Sequence, residues 1–246
     1  MAKTLFIADL HLSNQCLDIV EKCHTFLIKC LKDYQGKELD TLYILGDLFE
    51  SWLGDDDDDP TYHSIIQTLK KLTDTGLPIY IMHGNRDFLL GERFAKMTGC
   101  QLIPDELKVD LYGTPTLLMH GDTLCTLDVS YQRFREQVRN PLWQQQFLAY
   151  PLEQRRALAQ QARLQSQAYT QNVEQSITDV TPQAVENALM THHVNQLIHG
   201  HTHLPAIHEF EVNHQPTRRI VLGDWQTGKC CVLSYTDKGY TLQDCD

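Results

Sequence analysis

The stretch Ile198-His199-Gly200-His201-Thr202-His203 places three histidines within five residues, directly after an apolar run. Imidazole is the commonest metal ligand in proteins, and a strand that runs into a tight turn can direct two imidazoles at one point. An exposed polar turn would also account for this composition. The metal hypothesis therefore requires partner ligands at the ends of other strands.

Four earlier stretches repeat the arrangement of an apolar strand followed by potential ligands. Short apolar runs predict buried strands over residues 3–8, 42–45, 79–82 and 116–119. These strands lead into Asp9-Leu10-His11, Gly46-Asp47, Gly84-Asn85 and His120-Gly121-Asp122. Asp9 and His11 are two residues apart, so on an extended segment both side chains would point the same way. The strand 196–198 delivers the histidine motif in the same manner.

Helices predicted between these strands complete the fold prediction. Apolar spacing and caps favour helices over residues 14–33, 61–75 and 182–191, the last with Thr181 as its N-cap and Pro182 first in the helix. Residues 206–244 alternate like antiparallel strands. This order predicts a layered α/β domain whose sites gather at the carboxyl ends of strands. Residues 130–175, rich in Gln, Arg, Leu and Ala, predict two or three inserted helices.

Charge is spread unevenly along the 246 residues. The net charge of −11 argues against general nucleic-acid binding. Residues 131–165 carry six arginines and two glutamates, hence +4, which leaves −15 for the remainder. A basic and apolar segment on an acidic body indicates a substrate that is both anionic and lipophilic. The same segment is expected to contact anionic lipid headgroups. No secretory signal or membrane span is recognised, so a cytoplasmic location is expected.

Two residue clusters predict structure more than chemistry. The acidic run from Asp55 to Asp59 has the charge of a calcium site but lacks the spacing and glycine of an EF-hand loop, which favours a solvated loop. Cys16, Cys23 and Cys30 recur every seven residues, which places them near one helix face and predicts buried thiols.

In chain order, the motifs DxH, GD, GN, H and GHxH resemble the calcineurin-like metallophosphoesterases. That resemblance implies an α/β (α+β) fold, a four-layer αββα sandwich with a helical cap. The resemblance covers the chain outside the inserted helices, which gives a metallophosphoesterase core over residues 1–125 and 179–246 and a helical lid over residues 126–178. The basic and apolar composition of the lid predicts that it binds a lipid substrate.

The same resemblance implies two divalent metal ions bridged by Asp47. It assigns Asp9, His11 and His203 to one ion, and Asn85, His120 and His201 to the other. Such a pair can activate water and clamp phosphoryl oxygens during in-line displacement. Mixed histidine, amide and carboxylate ligation favours Mn²⁺, Fe²⁺ or Zn²⁺ over Mg²⁺. The family resemblance points to Mn²⁺.

Arg86 stands where most members of this family carry a histidine that can protonate the leaving alkoxide. Arginine stays charged and cannot act as that acid, but it can hold a phosphate bidentately and stabilise transition-state charge. A phosphate leaving a diphosphate is already a weak base and needs no acid. Arg86 therefore indicates a pyrophosphatase-type reaction, with an ion pair to Asp87 as the structural alternative.

Within the family, the chain resembles the enzymes that cleave UDP-2,3-diacylglucosamine in lipid A biosynthesis. The matching stretches are residues 5–12, 43–50, 83–91, 119–126 and 197–203. This resemblance implies that water activated by two metals attacks the UMP-side phosphorus, giving UMP and 2,3-diacylglucosamine 1-phosphate (lipid X). It implies peripheral attachment to the cytoplasmic face of the inner membrane. It assigns catalysis to Asn85, Arg86 and His120, and substrate binding to Asn85, Arg86, Asp128, Ser166, Thr170 and His201.

Some positions depart from this pattern or fit two interpretations. Val173 replaces an expected substrate-contacting lysine, so either that contact is missing or the helix register differs, and Leu204 replaces a common basic residue. His83, His199 and Asp122 fit either support of a metal ligand or packing. The alternative functions are a phosphomonoesterase or cyclic-nucleotide phosphodiesterase on the same scaffold, and a non-catalytic metal-binding scaffold.

Overall fold

Two β-sheets lie face to face between layers of helices in the computed structural model, which describes residues 2–170 and 174–244 apart from the side chains of Thr170 and Gln175. The strands over these residues are β1 (Lys3–Ile7), β2 (Leu39–Leu45), β3 (Ile79–Met82), β4 (Gln101–Ile103), β5 (Glu106–Leu111), β6 (Thr114–Met119), β7 (Gln196–His199), β8 (Ala206–Val212), β9 (Gln215–Val221), β10 (Val232–Thr236) and β11 (Gly239–Gln243). The helices are α1 (Leu17–Gln35), α2 (Pro60–Asp74), α3 (Glu92–Thr98), α4 (Val129–Val138), α5 (Pro141–Leu148), α6 (Leu152–Thr170), α7 (Gln175–Thr178) and α8 (Pro182–His192).

Parallel strands occupy the middle of each sheet. Across the described residues, the first sheet runs β11-β10-β1-β2-β3-β4 and the second runs β5-β6-β7-β9-β8. Strands β1 to β4 are mutually parallel, as are β6, β7 and β9. Because parallel strands end at the same edge of a sheet, the loops that follow them are brought together there.

The side chains of β1 show how the layers stack. Leu5 and Ile7 pack into the buried cluster shared with α1 and α2, whereas Phe6 points the other way, into the cluster shared with the second sheet. On the outer face of the second sheet, Val185 and Leu189 of α8 close a third cluster. The order helix, sheet, sheet, helix confirms the predicted four-layer αββα sandwich.

Most predicted elements are present, with ends displaced by a few residues. The strand at 79–82 and the start of α8 agree, and Thr181 caps α8 by accepting a hydrogen bond from the N–H of Ala184. Strands β4 and β5 and helix α3 were not predicted, because β4 is three residues long and β5 carries charged residues between its apolar ones. Cys23 and Cys30 are buried on α1 and Cys16 is half-buried just before it, as expected.

Between β6 and α8 the described residues contain four α-helices, α4 to α7, which we call the helical segment. Phe147 of α5 is buried, and Trp143 and Leu152 pack against the same cluster as α1 and α2. Other large apolar side chains of this segment face solvent, among them Phe134, Leu142, Leu148, Leu158 and Leu164. None of the helices in the described part of the chain is both long and apolar enough to span a membrane.

The acidic run is a loop, as predicted, but only Asp56 and Asp58 are exposed, so the prediction that it is solvated is wrong for Asp55, Asp57 and Asp59. Asp55 accepts hydrogen bonds from the backbone N–H groups of Gly91 (3.0 Å) and Phe94 (2.9 Å). Asp59 caps α2 by accepting from Thr61 N at 2.8 Å. These carboxylates therefore fix the start of α3 and of α2.

The remaining acids of the run hold helix α6. Arg155 is buried and contacts the carboxylate of Asp56 and the carbonyl oxygen of Leu53. Arg156 contacts Asp58 and lies 3.1 Å from Oδ1 of Asp57. We refer to these arginine–aspartate pairs as the α6 latch. These two arginines are paired with acids of the same protein, so they add little free positive charge to the basic surface that the sequence predicts.

Candidate metal centre

The seven predicted ligands lie in loops at the carboxyl ends of parallel strands. Asp9 and His11 follow β1, Asp47 follows β2, Asn85 follows β3, His120 follows β6, and His201 and His203 follow β7. Bonds across the sheets hold these loops together: the N–H of His201 donates to Oδ2 of Asp9 at 2.8 Å, and Nδ1 of His120 lies 2.9 Å from the carbonyl oxygen of Leu45. The structure thus gathers all seven side chains at one edge.

Left-handed backbone conformations recur among these seven residues. The φ angles are 55° at Asp9, 49° at His11, 51° at Asp47, 71° at His201 and 58° at His203. Positive φ is uncommon outside glycine, and such residues cluster at functional sites. The prediction that Asp9 and His11 lie on an extended segment is wrong, since β1 ends at Ile7 and tight turns direct both side chains inward.

One set of donor atoms converges between Asp9, His11 and His203. The Nε2 atoms of the two histidines are 3.2 Å apart, and His203 Nε2 lies 3.7 Å from Oδ1 of Asp9. The opposite nitrogens face carboxylates, with His11 Nδ1 at 2.9 Å from Glu50 and His203 Nδ1 at 3.4 Å from Asp224. Because each carboxylate favours a proton on Nδ1, both Nε2 atoms present lone pairs to the same point.

The second set of donor atoms surrounds the amide oxygen of Asn85. Its Oδ1 lies 3.1 Å from His120 Nε2 and 2.9 Å from His201 Nδ1. The carbonyl oxygen of Leu45 favours a proton on Nδ1 of His120, which leaves Nε2 free to act as a ligand. The amide oxygen and two imidazole nitrogens therefore form a compact second group.

Asp47 lies between the two groups. Its Oδ2 is 3.8 Å from Nε2 of His11 and 3.8 Å from Nε2 of His120. Its Oδ1 accepts a 2.8 Å hydrogen bond from the N–H of Arg86. One oxygen is thus anchored to the backbone while the other is directed at both ligand sets.

Burial and charge prepare these groups for cations. Burial lowers the pKa of His201 to about 4, so its imidazole is neutral at physiological pH and its lone pair is available. Burial opposes ionisation of Asp9, but His203, His120 and His11 hold its pKa at about 2. An anionic Asp9 and a neutral His201 are the protonation states that metal ligation requires. His120 differs, because burial opposes its protonation but the carboxylates of Asp47 and Asp9 raise its pKa.

Glycines beside the ligands permit this close packing. A Cβ on Gly84 would lie 2.0 Å from Oδ1 of Asp47 and 2.3 Å from its backbone nitrogen. A Cβ on Gly200 would lie 2.5 Å from Oδ2 of Asp9. Only glycine leaves room for these two carboxylates, which accounts for the GN and GHxH motifs.

The residues fit the metal ions that the motifs imply. Oδ1 of Asp9 is buried and, among the described residues, has no hydrogen-bond partner, an arrangement that a cation would compensate. Two groups of three residues bring carboxylate oxygens and imidazole nitrogens within metal-binding reach of one another. The first is Asp9, His11 and His203, and the second is Asp9, Asp47 and His120. Nitrogen and oxygen donors together suit borderline divalent ions better than Mg²⁺.

The three neighbouring residues left open by the sequence have separate roles. His83 Nε2 lies 2.8 Å from the carbonyl oxygen of Leu90, an interaction within its own loop. His199 is buried behind the site, where burial lowers its pKa to about 3 and its Nε2 lies 3.3 Å from Arg219. Asp122 accepts hydrogen bonds from Tyr131 (2.6 Å) and Arg135 (2.8 Å) and so anchors α4 beside His120.

Arg86 lies beside the metal ligands without the ion pair proposed as its structural alternative. Asp87 accepts hydrogen bonds from the backbone N–H groups of Leu48 and Gly84, both at 2.8 Å. The buried Nε of Arg86 has no hydrogen-bond partner among the described residues. An arginine with a buried, unpaired donor beside a metal centre is suited to an anionic ligand.

The predicted substrate residues outside the loops lie on the helical segment. Asp128 is buried at the start of α4, where its Oδ1 accepts from Tyr131 N (2.9 Å) and Tyr169 OH (3.1 Å). Ser166 is exposed on α6, three residues after Arg163. The side chain of Thr170 and the whole of Val173 lie outside the described residues.

Sequence reasoning missed Glu50, Asp224 and Arg163, which surround His11 and His203. Glu50 and Asp224 face the Nδ1 atoms of the two histidines, and Arg163 of α6 contacts Glu50. A weak signal was present, because Glu50 and Asp224 are acids that closely follow predicted strands. Nothing in local sequence indicated that a residue of the helical segment would reach Glu50.

Comparison with known proteins agrees with this geometry. A model of the family described as calcineurin-like phosphoesterase matches residues 2–205. The UDP-2,3-diacylglucosamine hydrolase of Cellvibrio japonicus is 49% identical over 243 residues, covering 99% of both chains. The hydrolase of that name from Marinobacter nauticus is 51% identical over 222 residues, covering 90% of this chain and 89% of its own. The family resemblance of the motifs is confirmed, and the chain belongs to the calcineurin-like phosphoesterases.

Proposed function

We propose that this chain hydrolyses the diphosphate bond of UDP-2,3-diacylglucosamine, releasing UMP and 2,3-diacylglucosamine 1-phosphate. Relatives of about half identity over nearly the whole chain carry the name of that hydrolase. The structural observation that carries the proposal is the guanidinium of Arg86, whose buried Nε is unpaired among the described residues. A permanent cation at this position suits a diphosphate, whose phosphate leaving group needs no acid.

Each residue of the centre has a proposed role in this reaction. Asp9, His11, Asp47, Asn85, His120, His201 and His203 hold two divalent ions, with Mn²⁺ as the proposed metal. When bound, such a pair activates water for in-line attack at the UMP-side phosphorus and stabilises charge on the phosphoryl oxygens. Arg86 orients the diphosphate. Asn85 directs Oδ1 toward His120 and His201, which leaves its NH₂ group for a phosphoryl oxygen.

The helical segment is proposed as a lid that covers the lipid part of the substrate, on a core formed by residues 1–125 and 179–246. Its exposed side chains supply apolar surface: Leu142 is 69% exposed and Leu164 is 60% exposed. Each methylene buried against such surface stabilises binding by about 0.8 kcal/mol, so several leucines suffice to hold acyl chains. The lid limits of residues 126–178 are part of this proposal.

The lid also carries the proposed contacts to the glucosamine phosphate. Ser166 follows Arg163 by three residues on α6, a spacing that places neighbours on one side of a helix, and this spacing supports a role for Ser166 near the residue that contacts Glu50. Both of the hydrogen bonds given above for Asp128 use Oδ1, and we assign Oδ2 to a sugar hydroxyl. Thr170 completes this set in the proposal.

Attachment to the cytoplasmic face of the inner membrane is proposed through apolar contact. The helical segment offers less free positive charge than its sequence predicts, because five of its six arginines face acids of the rest of the protein. These are Arg135, Arg139, Arg155, Arg156 and Arg163. Peripheral binding would therefore depend on the exposed leucines and Phe134, with little contribution from charge.

The decisive experiment incubates the protein with Mn²⁺ and UDP-2,3-diacylglucosamine and measures UMP. We expect rapid UMP release and slow turnover of p-nitrophenyl phosphate. In ¹⁸O water, the label should appear in UMP, whereas label in the sugar phosphate would reverse the assigned site of attack. Turnover of simple monoesters without UMP release would overturn the proposal in favour of a phosphomonoesterase.

A further inference from the structure

One chain of charged contacts links the helical segment to a metal ligand. Arg163 of α6 contacts Oε1 of Glu50 through its Nη1 atom. The other oxygen of the same carboxylate, Oε2, lies 2.9 Å from Nδ1 of His11. His11 turns its opposite nitrogen, Nε2, toward Asp47 and His203. Glu50 is thus the common partner of a helix that packs from outside and an imidazole that faces the metal centre.

The backbone around Glu50 makes this contact a fixed one. The N–H of Glu50 donates to the carbonyl oxygen of Leu12 at 3.1 Å, and the N–H of Leu12 donates to the carbonyl oxygen of Leu48 at 3.0 Å. Glu50 is therefore tied to the strand end that carries His11. Movement of the carboxylate is limited to its own side-chain torsions. Its two oxygens face the Arg163 guanidinium and the His11 ring in ion-pair contacts, although neither Oε1 of Glu50 nor Nδ1 of His11 makes a hydrogen bond within the described residues.

The environment of Arg163 makes its link to Glu50 specific. The other described arginines of α6, Arg155 and Arg156, contact Asp56, Asp57 and Asp58 in the α6 latch. Apart from the ion pair with Glu50, Nη1 of Arg163 is a buried donor with no hydrogen-bond partner in the described chain. Arg163 thus reaches past the latch to the carboxylate behind His11.

We infer that Arg163 and Glu50 are positioning residues that couple docking of α6 to metal binding by His11. Glu50 favours a proton on Nδ1 of His11 and holds the ring with Nε2 toward the metal, while Arg163 holds Glu50 in that orientation. Coupling is reciprocal: α6 docking strengthens metal binding at Asp9, His11 and His203, and metal binding strengthens α6 docking to the same degree. The inference rests on the metal centre and does not require a particular substrate.

His203 provides an internal comparison on the same ligand set. Its Nδ1 faces Asp224, and Asp224 accepts a 2.7 Å hydrogen bond from Nε2 of Gln226. That pair lies in the loop after β9, and no contact of Asp224 with the helical segment occurs in the described residues. Asp224 therefore supports a ligand without a link to α6.

The test measures Mn²⁺ binding to the metal-free full chain by electron paramagnetic resonance, without substrate. Second-sphere carboxylates typically contribute about 10–100-fold to metal affinity, so Glu50→Gln should weaken one Mn²⁺ site by about tenfold or more. Arg163→Gln should weaken Mn²⁺ binding at the same site by about threefold to tenfold, whereas Arg163→Lys should retain most of the parental affinity. In the double variant, Arg163→Gln should add nothing to Glu50→Gln, because its effect passes through that carboxylate.

Two control variants separate coupling from general loss of packing. Arg156→Gln removes a latch contact on the same helix and should leave Mn²⁺ affinity unchanged. Asp224→Asn should weaken the site, but its effect should add to that of Arg163→Gln. Equal affinity of Arg163→Gln and the parent protein, or additive effects of Arg163→Gln and Glu50→Gln, would overturn the coupling.

Hydrogen exchange tests the reverse direction of the same coupling. Mn²⁺ should slow exchange of the α6 amides in the parent protein and in Arg156→Gln, but much less in Arg163→Gln. Should Glu50→Gln not fold, Arg163→Gln and Arg163→Lys carry both measurements. Equal Mn²⁺ protection of α6 in Arg163→Gln and the parent protein would contradict the inference even if activity were altered.

Discussion

The backbone N–H of Arg86 donates a 2.8 Å hydrogen bond to Oδ1 of Asp47, while Oδ2 of Asp47 lies 3.8 Å from both His11 and His120. The residue proposed to hold the diphosphate is thereby fixed to the carboxylate proposed to bridge the metals. Movement of either residue displaces the other. In the proposed reaction, this one interaction would therefore help to set both the orientation of the substrate and the spacing of the metals.

Asp47→Asn should reduce Mn²⁺ binding to one ion or fewer per chain and lower UMP release by at least about a hundredfold. The amide oxygen can still accept from Arg86 N, so the local backbone should persist while the shared negative charge is lost. Metal content and UMP release measured on the same samples check this. Asp237→Asn, at an exposed position, is the control and should bind two ions. Two tightly bound ions in Asp47→Asn would show that Asp47 does not bridge them.

Arg86→His should lower UMP release by about 10²–10³-fold, because the site loses a permanent charge that stabilises the transition state. Arg86→Lys retains the charge without the bidentate geometry, so an intermediate loss is expected. Initial rates with UDP-2,3-diacylglucosamine at fixed Mn²⁺ measure both variants. A parental rate in Arg86→His would remove the structural support for a diphosphate substrate.

The ligand loops could be predicted because several strands show the same sequence pattern. Apolar runs end in polar residues, and parallel strands bring those ends together, so Asp47 and His120 were found without coordinates. The local geometry was not predictable in the same way. Positive φ at Asp9 and His11 depends on contacts with the loop after β2, such as the 3.1 Å bond from Asp9 N to Gly46 O.

The helical segment shows a different limit of sequence reasoning. Its charge could be counted, but partner choice depends on tertiary contacts between residues about a hundred positions apart, such as Arg155 and Asp56. A count of arginines predicted a basic surface, whereas the structure uses most of them internally. For the same reason, local sequence predicts a solvated acidic run, although Asp56, Asp57 and Asp58 face arginines of α6.

The α6 latch should be sensitive to acid. The hydrogen bond with Arg155 lowers the pKa of Asp56 from its ordinary 3.8. A carboxyl whose pKa is lower in the folded protein stabilises the fold above its ordinary pKa, and this contribution is lost as the pH falls below that value. Asp56→Asn should therefore reduce the free energy of unfolding by about 1 kcal/mol at pH 7, a figure discounted for the exposure of Asp56.

Urea unfolding of the parent protein and Asp56→Asn at pH 7, 5, 4 and 3 measures this dependence. The difference between them should be constant from pH 7 to 5 and shrink toward zero at pH 3. Asp237→Asn, at an exposed position, should show no such difference. A difference that stays constant to pH 3 would mean that the Asp56 charge does not stabilise the latch.

Binding to lipid vesicles should depend on apolar side chains and only weakly on salt. Leu142→Ser and Leu164→Ser remove exposed apolar groups from the helical segment and together should weaken vesicle binding by about tenfold. Raising the ionic strength from about 0.05 M to about 0.5 M shortens the Debye length to a few ångströms and so screens surface charges. This change should alter vesicle binding by less than about twofold. Sedimentation with anionic vesicles gives both quantities. Steep salt dependence would restore a charge-based mode of attachment.

Gly84→Ala should disrupt the metal centre more than its one-carbon change suggests. The new Cβ would lie 2.0 Å from Oδ1 of Asp47 and 2.3 Å from the Asp47 nitrogen, so the backbone must move as well as the side chain. Overpacking of this kind typically costs about 1–3 kcal/mol, and here it would also displace the carboxylate proposed to bridge the metals. Mn²⁺ affinity should fall by at least about tenfold and the free energy of unfolding should decrease. Gly36→Ala is the matched control, since its nearest contact would be an ordinary 3.4 Å and neither quantity should change. Parental Mn²⁺ affinity in Gly84→Ala would show that Asp47 can shift without loss of metal, contrary to the fixed position assigned to it.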